Sequence, residues 1–117
     1  MKEIYLNGKD VNVDADFFVG LGADRDSIRF EKKPMGKHTA ELVIDGVKYI
    51  AEWNEWINRM DIKCADLSYQ DGEIADQLLY GLSKKLTQDM FGDLVVRKFV
   101  AWPEGMMPEL VILFYEK

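Results

Sequence analysis

Asp71-Gly72-Glu73-Ile74-Ala75-Asp76-Gln77-Leu78-Leu79-Tyr80-Gly81-Leu82-Ser83-Lys84-Lys85-Leu86-Thr87-Gln88-Asp89-Met90-Phe91-Gly92 is the stretch whose reading decides the fold. Ile74, Ala75, Leu78, Leu79, Leu82, Leu86 and Met90 recur in it at steps of three and four. At about 100° per residue they fill one stripe, which predicts an amphipathic helix from Glu73 to Phe91. Such a helix is about 28 Å long, enough to lie across the face of a small sheet. Ser68 followed three residues later by Asp71, or Asp71 itself, supplies the cap at its start, and Gly92 supplies the stop.

On either side of this helix the apolar spacing changes to that of strands. Asp45-Gly46 sits between Glu41-Leu42-Val43-Ile44 and Val47-Lys48-Tyr49-Ile50, and a two-residue turn there pairs Ile44 with Val47, Leu42 with Tyr49 and Ala40 with Ala51 on one face. Asn7-Gly8 makes the same prediction for the start of the chain, with Ile4, Leu6, Val11 and Val13 inward. Between the hairpins, Asp14 or Asp16 caps a short helix through Phe17, Phe18 and Leu21 that stops at Gly22, with a short apolar loop as the alternative. Ser27 to Lys32 reads as a strand with Ile28 and Phe30 inward. A plain four-residue turn at Pro34 to Gly36 would put it out of phase with its neighbour, so a bulge or an extra loop residue is expected.

Residues 54 to 60 fit one helical turn or a continued strand, and Asp61 to Tyr69 a short strand with Ile62 and Cys64 inward. After the helix come Leu94 to Trp102 and Leu110 to Tyr115. The last run is apolar on both alternating faces, which predicts a strand covered on both sides. A dimer interface, or a second layer made from the N-terminal hairpin, would provide the second cover. The expected product is a single α+β domain over residues 1 to 117, an antiparallel sheet of about five to seven strands packed against one long helix.

The net charge of −6 comes from 21 acidic and 15 basic residues. The basic ones are scattered, which argues against direct nucleic-acid binding, since phosphate recognition needs a concentrated basic surface. Acidity of this size serves solubility, and it also suits a face that docks on a basic protein. Asp61, Asp66, Asp71, Glu73 and Asp76 against Lys63 alone form the pronounced cluster. The single cysteine, Cys64, cannot make an internal disulfide and points to a reducing compartment. No apolar stretch approaches a membrane span, so a cytoplasmic protein without membrane contact is expected.

Catalytic chemistry has few candidates. His38 is the sole histidine, at a strand entrance that suits an ordinary exposed or capping role, and Cys64 reads as a buried, inert thiol. One His and one Cys leave a zinc site short of ligands, and the acidic run lacks the calcium-loop pattern. No glycine-rich phosphate loop is present. No cofactor and no metal are therefore expected, and an enzyme would have to work with carboxylates brought together by the fold.

Binding features are stronger. Trp102, Met106 and Met107 lie in a proline-bounded loop that would present an aromatic anchor and adaptable thioethers. Asp66, Asp71, Glu73 and Asp76 at the helix entrance, with Tyr80 on its polar face beside Gly81, would supply an acidic surface. These eight residues, Gly81 apart, are the candidate partner-binding set. They predict a non-enzymatic protein-binding domain, in its specific form a phage or mobile-element accessory protein that inhibits a host defence or nucleic-acid-handling protein by presenting acid to a basic groove. The alternatives are a structural or assembly subunit of a virion or homo-oligomer, for which a homodimer is one form, and a carboxylate-dependent enzyme.

Overall fold

A computed structural model describes residues 2–6, 12–104 and 107–116. Among them are strands β1 (Lys2–Glu3), β2 (Arg29–Lys33), β3 (Lys37–Ile44), β4 (Val47–Asn54), β5 (Arg59–Cys64), β6 (Leu94–Ala101) and β7 (Glu109–Glu116), and helices α1 (Ala15–Gly20) and α2 (Gly72–Lys85). The sheet is antiparallel throughout, in the order β2-β3-β4-β5-β7-β6. β1 continues beyond the end of β5 along the same edge of β7, pairing Lys2 with Glu116 and Glu3 with Tyr115. Asn58 bridges that junction: it is buried, its backbone carbonyl accepts from Phe114 N at 2.9 Å, and its side-chain amide donates to Phe114 O at 2.9 Å. The fold is α+β, as the spacing predicts.

The Asp45-Gly46 hairpin has the expected register, because both turn residues adopt the positive φ (51° and 79°) that a two-residue turn demands. The turn between β2 and β3 carries the expected extra residue: Pro34, Met35 and Gly36 lie between the paired Lys33 and Lys37, one more than a plain four-residue turn leaves unpaired, and Met35 and Gly36 both take positive φ (65° and 74°). Phe30 thereby pairs with Ala40, in phase with the inner face. β5 begins at Arg59 after a turn at 55 to 58 and ends at Cys64, so the expected strand to Tyr69 is shorter and starts earlier. The Asn7-Gly8 turn lies outside the described residues.

One face of the sheet carries Ala40, Leu42, Tyr49, Ala51, Trp53, Met60, Ile62, Leu110, Ile112 and Phe114, all buried. Both helices cover it. Asp14 caps α1 by accepting from Phe17 N at 3.0 Å, and α1 inserts Phe18 against Trp53 (ring centroids 5.7 Å apart) and Phe17 against Phe114 (6.1 Å). α2 lies over β5, β6 and β7 and buries Ala75, Leu79 and Leu82. Truncating a residue such as Leu79 to Ala would cost about 2–5 kcal/mol. Ile4, Leu6 and Val13 join this same core, so the described part of the N-terminal segment packs on the helix side rather than over the other face.

The helix ends at Lys85, a turn and a half short of Phe91. Leu86 leaves it in an extended conformation, and a separate 3-10 turn, Gln88–Phe91, then folds Phe91 onto Phe114 (5.9 Å). The cause is remote in sequence: Lys98, on the inner face of β6, donates its ammonium to the carbonyls of Ser83 and Leu86 and so closes the helix end. Burial lowers the Lys98 pKa. Of the predicted stripe, Ile74 and Met90 are exposed rather than buried.

Candidate functional site

The sequence places its candidate residues on two separate segments, and one hydrogen bond joins those segments in the fold. Ser68 donates its backbone N–H and its hydroxyl to Asp71 Oδ2, each at 3.0 Å, forming the capping box that starts α2 through a 3-10 turn at Tyr69–Asp71. Asp76, on the second turn of α2, accepts the indole N–H of Trp102 at 2.7 Å. The edge of the indole comes so close to the helix that a Cβ on Gly72 would stand 2.9 Å from it, so glycine at this position is what admits the tryptophan.

Trp102 remains 54% exposed while held at both its nitrogen and its ring edge. Glu73, Asp76 and Tyr80 follow one another at steps of three and four, so they share one side of α2. Tyr80 is exposed, with the Lys84 ammonium 4.6 Å from its ring centroid. Tyr69 and Ile74 are exposed at the same end of the helix.

Asp66 is exposed in the segment before the cap, and Asp71 is half-buried with its carboxylate engaged by Ser68. Met107 is half-buried and is followed by the buried Pro108, so its end of the loop turns inward; Met106 lies outside the described residues. Among the described residues, none outside the helix's own backbone comes within 4 Å of where a Cβ on Gly81 would stand, so none of them crosses closely there.

The second region is the sheet face that neither helix covers, where the register sorts side chains into rows. Lys33, Lys37 and Asn54 form the row nearest one end, and Glu31, Thr39, Glu52 and Asp61 form the next. Arg59 reaches Asp61 at 2.7 Å and Lys63 reaches Glu52 at 3.6 Å. A cleft of about 270 Å³ opens over these rows, lined among others by Lys33, Lys37, Thr39, Asn54, Ile57 and Arg59. Sequence reasoning missed it, since its residues come from four strands and meet only through the register.

On the same face Val111 is 1% exposed, shielded by its cross-strand neighbours Asp61 and Phe99. Neighbouring strands thus cover much of what the two-sided apolar pattern of β7 predicts must be covered. Glu109 is 7% exposed, and burial, then the adjacent Asp61 carboxylate, push its pKa up while Lys63 and Arg59 act the other way. Two carboxyl groups coupled in this way are of the kind an acid–base mechanism would use. Glu109 lies outside the cleft lining, and Asp61 is engaged by Arg59.

His38 is half-buried rather than exposed: it stacks on Trp53 (centroids 5.4 Å apart, planes within 5°), and its Nε2 lies 3.2 Å from Glu55 Oε2. Cys64 is half-buried against the core, where burial pushes its thiol pKa up and keeps the reactive thiolate scarce. Among the described residues no group of three or more His, Cys, Asp or Glu could hold a metal ion, and no helix is long and apolar enough to cross a membrane.

Comparison with protein-family models, with curated proteins and with solved structures gave no match for this chain.

Proposed function

We propose that this chain is a non-catalytic protein-binding domain whose docking face is the start of α2 together with Trp102. The observation that supports this most is the fixed, half-exposed indole. Its orientation is set by Asp76 and Gly72 before any partner arrives, so little side-chain entropy is lost when it is buried. Tryptophans held in this way are the residue type that dominates binding energy at interfaces. Asp76 at the indole, Glu73 on the same side of the helix and Asp66 in the segment before its cap favour a partner with a basic surface, by steering its approach and penalising acidic competitors. In its specific form the reading is an accessory inhibitor, of the kind a phage or mobile element carries, that fills the basic groove of a nucleic-acid-handling protein.

The test is capture from a host lysate with the parent chain, with a charge-reversed variant (Asp66→Lys, Glu73→Lys) and with Trp102→Ala. The reading expects a captured protein that binds the parent more weakly as salt rises, and that loses affinity in both variants. Unchanged affinity and salt dependence in the reversed variant would remove the acidic face from the account.

The assembly-subunit reading also has an observation in its favour. Phe99 is half-exposed on the open sheet face, beside Val111 and near Leu113. Solution mass decides it: a stable closed oligomer that dissociates when Phe99 is changed to Ser favours that reading, and a monomer counts against it.

A further inference from the structure

The uncovered sheet face holds an arrangement that costs stability as it stands. Lys33 and Lys37 are directly opposite each other on β2 and β3, both on the outer face, and among the described residues neither makes an ion pair. Like charges placed directly opposite across a strand pair repel. Of the acids in the next row, Asp61 is taken by Arg59 at 2.7 Å and Glu52 by Lys63 at 3.6 Å, while Glu31, two residues from Lys33 on β2, makes no ion pair among the described residues. Two lysines without an ion pair therefore line a 270 Å³ cleft on a protein whose net charge is −6.

We propose that this cleft binds a small polar molecule through a phosphate-type dianion, with Lys33 and Lys37 as the charge partners. The Asn54 amide, in the same row as Lys37, and the Thr39 hydroxyl, in the next, are hydrogen-bond donors on the cleft lining. Two point charges flanked by neutral donors suit a tetrahedral oxyanion of charge near −2 better than a singly charged carboxylate. The cleft exceeds what an inorganic phosphate fills. Its inner side presents Glu52 and Asp61, acceptors for the hydroxyl or amine groups of the attached body, and Ile57 gives it an apolar wall. The site is separate from the Trp102 face, so its test does not depend on the protein-binding reading.

The experiment is a titration of the full chain with inorganic phosphate at constant ionic strength, followed by backbone amide NMR. Saturable shifts at Lys37, Thr39 and Asn54 are expected. In Lys33→Gln and in Lys37→Gln the affinity should fall about tenfold, as loss of one charge-assisted contact implies. Lys48→Gln removes the same charge from an exposed position at the far end of β4 and should leave the affinity unchanged. Shifts that rise linearly without saturation, or an equal loss in Lys48→Gln, would overturn the proposal, since either would mean that phosphate senses only overall charge. All three lysines are exposed, so the variants keep the fold, and their unfolding curves check this directly.

Discussion

Trp102 and Trp56 both lie at the surface over a glycine, but their surroundings differ in charge and in constraint. A Cβ on Gly72 would stand 2.9 Å from the Trp102 ring, and one on Gly36 would stand 2.7 Å from Trp56 Nε1. Trp102 is 54% exposed and its N–H is taken by Asp76; Trp56 is 71% exposed, and among the described residues its indole nitrogen has no hydrogen-bond partner. The first has Glu73 and Asp76 on the helix beneath it, while the second covers the β2–β3 turn next to Lys33 and Lys37. One end of the molecule therefore offers an aromatic group fixed by a hydrogen bond in an acidic field, and the other an aromatic group without that bond beside two lysines that make no ion pair. The comparison teaches that exposure alone does not mark an anchor, because what distinguishes Trp102 is the bond that fixes it.

The largest effect that would break this comparison is on binding. Trp102→Ala should weaken the captured partner by about 2 kcal/mol or more, roughly thirtyfold, while Trp56→Ala should stay within about threefold, as isothermal titration or a competition assay would show. Next in size is Lys98→Ala, which weakens the C-terminal end of α2 by removing the ammonium that the Ser83 and Leu86 carbonyls share, leaving Ser83 O with the Leu86 N–H at 3.3 Å. A loss of about 1–3 kcal/mol in urea unfolding is expected, with phosphate binding at the far end unchanged.

Gly81→Ala acts in the other direction. The space around Gly81 is open, and alanine in a helix interior is preferred to glycine by about 1 kcal/mol, so the unfolding free energy should rise by about that amount. The partner affinity should hold, since the substitution lies outside the proposed face.

The smallest effect is a pH dependence at Glu109. Its folded-state pKa is raised above the ordinary 4.5, chiefly by burial, with Lys63 and Arg59 partly offsetting the rise. A raised carboxyl pKa means that the folded state holds the proton more tightly. Its contribution is present below about pH 4.5 and is lost as pH climbs through the folded value. Glu109→Gln should therefore stabilise the protein at pH 7 relative to the parent and lose that advantage near pH 4, as denaturant midpoints at the two pH values would show.

What was legible in the sequence was local. The Asp45-Gly46 turn fixes its own register because both residues accept positive φ, and the Ser68–Asp71 capping box needs only four consecutive residues. The end of α2 was not legible, since Leu86 and Phe91 continue the apolar spacing and the side chain that stops the helix, Lys98, lies on a strand formed later. Nor was the lysine pair. Its juxtaposition depends on a three-residue turn that puts Met35, a residue with a Cβ, at φ 65°, a conformation that unbranched L-residues seldom take. For the partner face, the acids and Trp102 could each be picked out, but their meeting could not be read from spacing, since a hydrogen bond across 26 positions joins them.

The most direct test of the central claim is oxidative labelling of the tryptophans, read by mass spectrometry, in the free chain and in its complex with the captured partner. The account predicts that Trp102 becomes protected in the complex while Trp56 labels as it does in the free chain. Trp102 labelling equally in both states, with the partner shown to be bound, would contradict it.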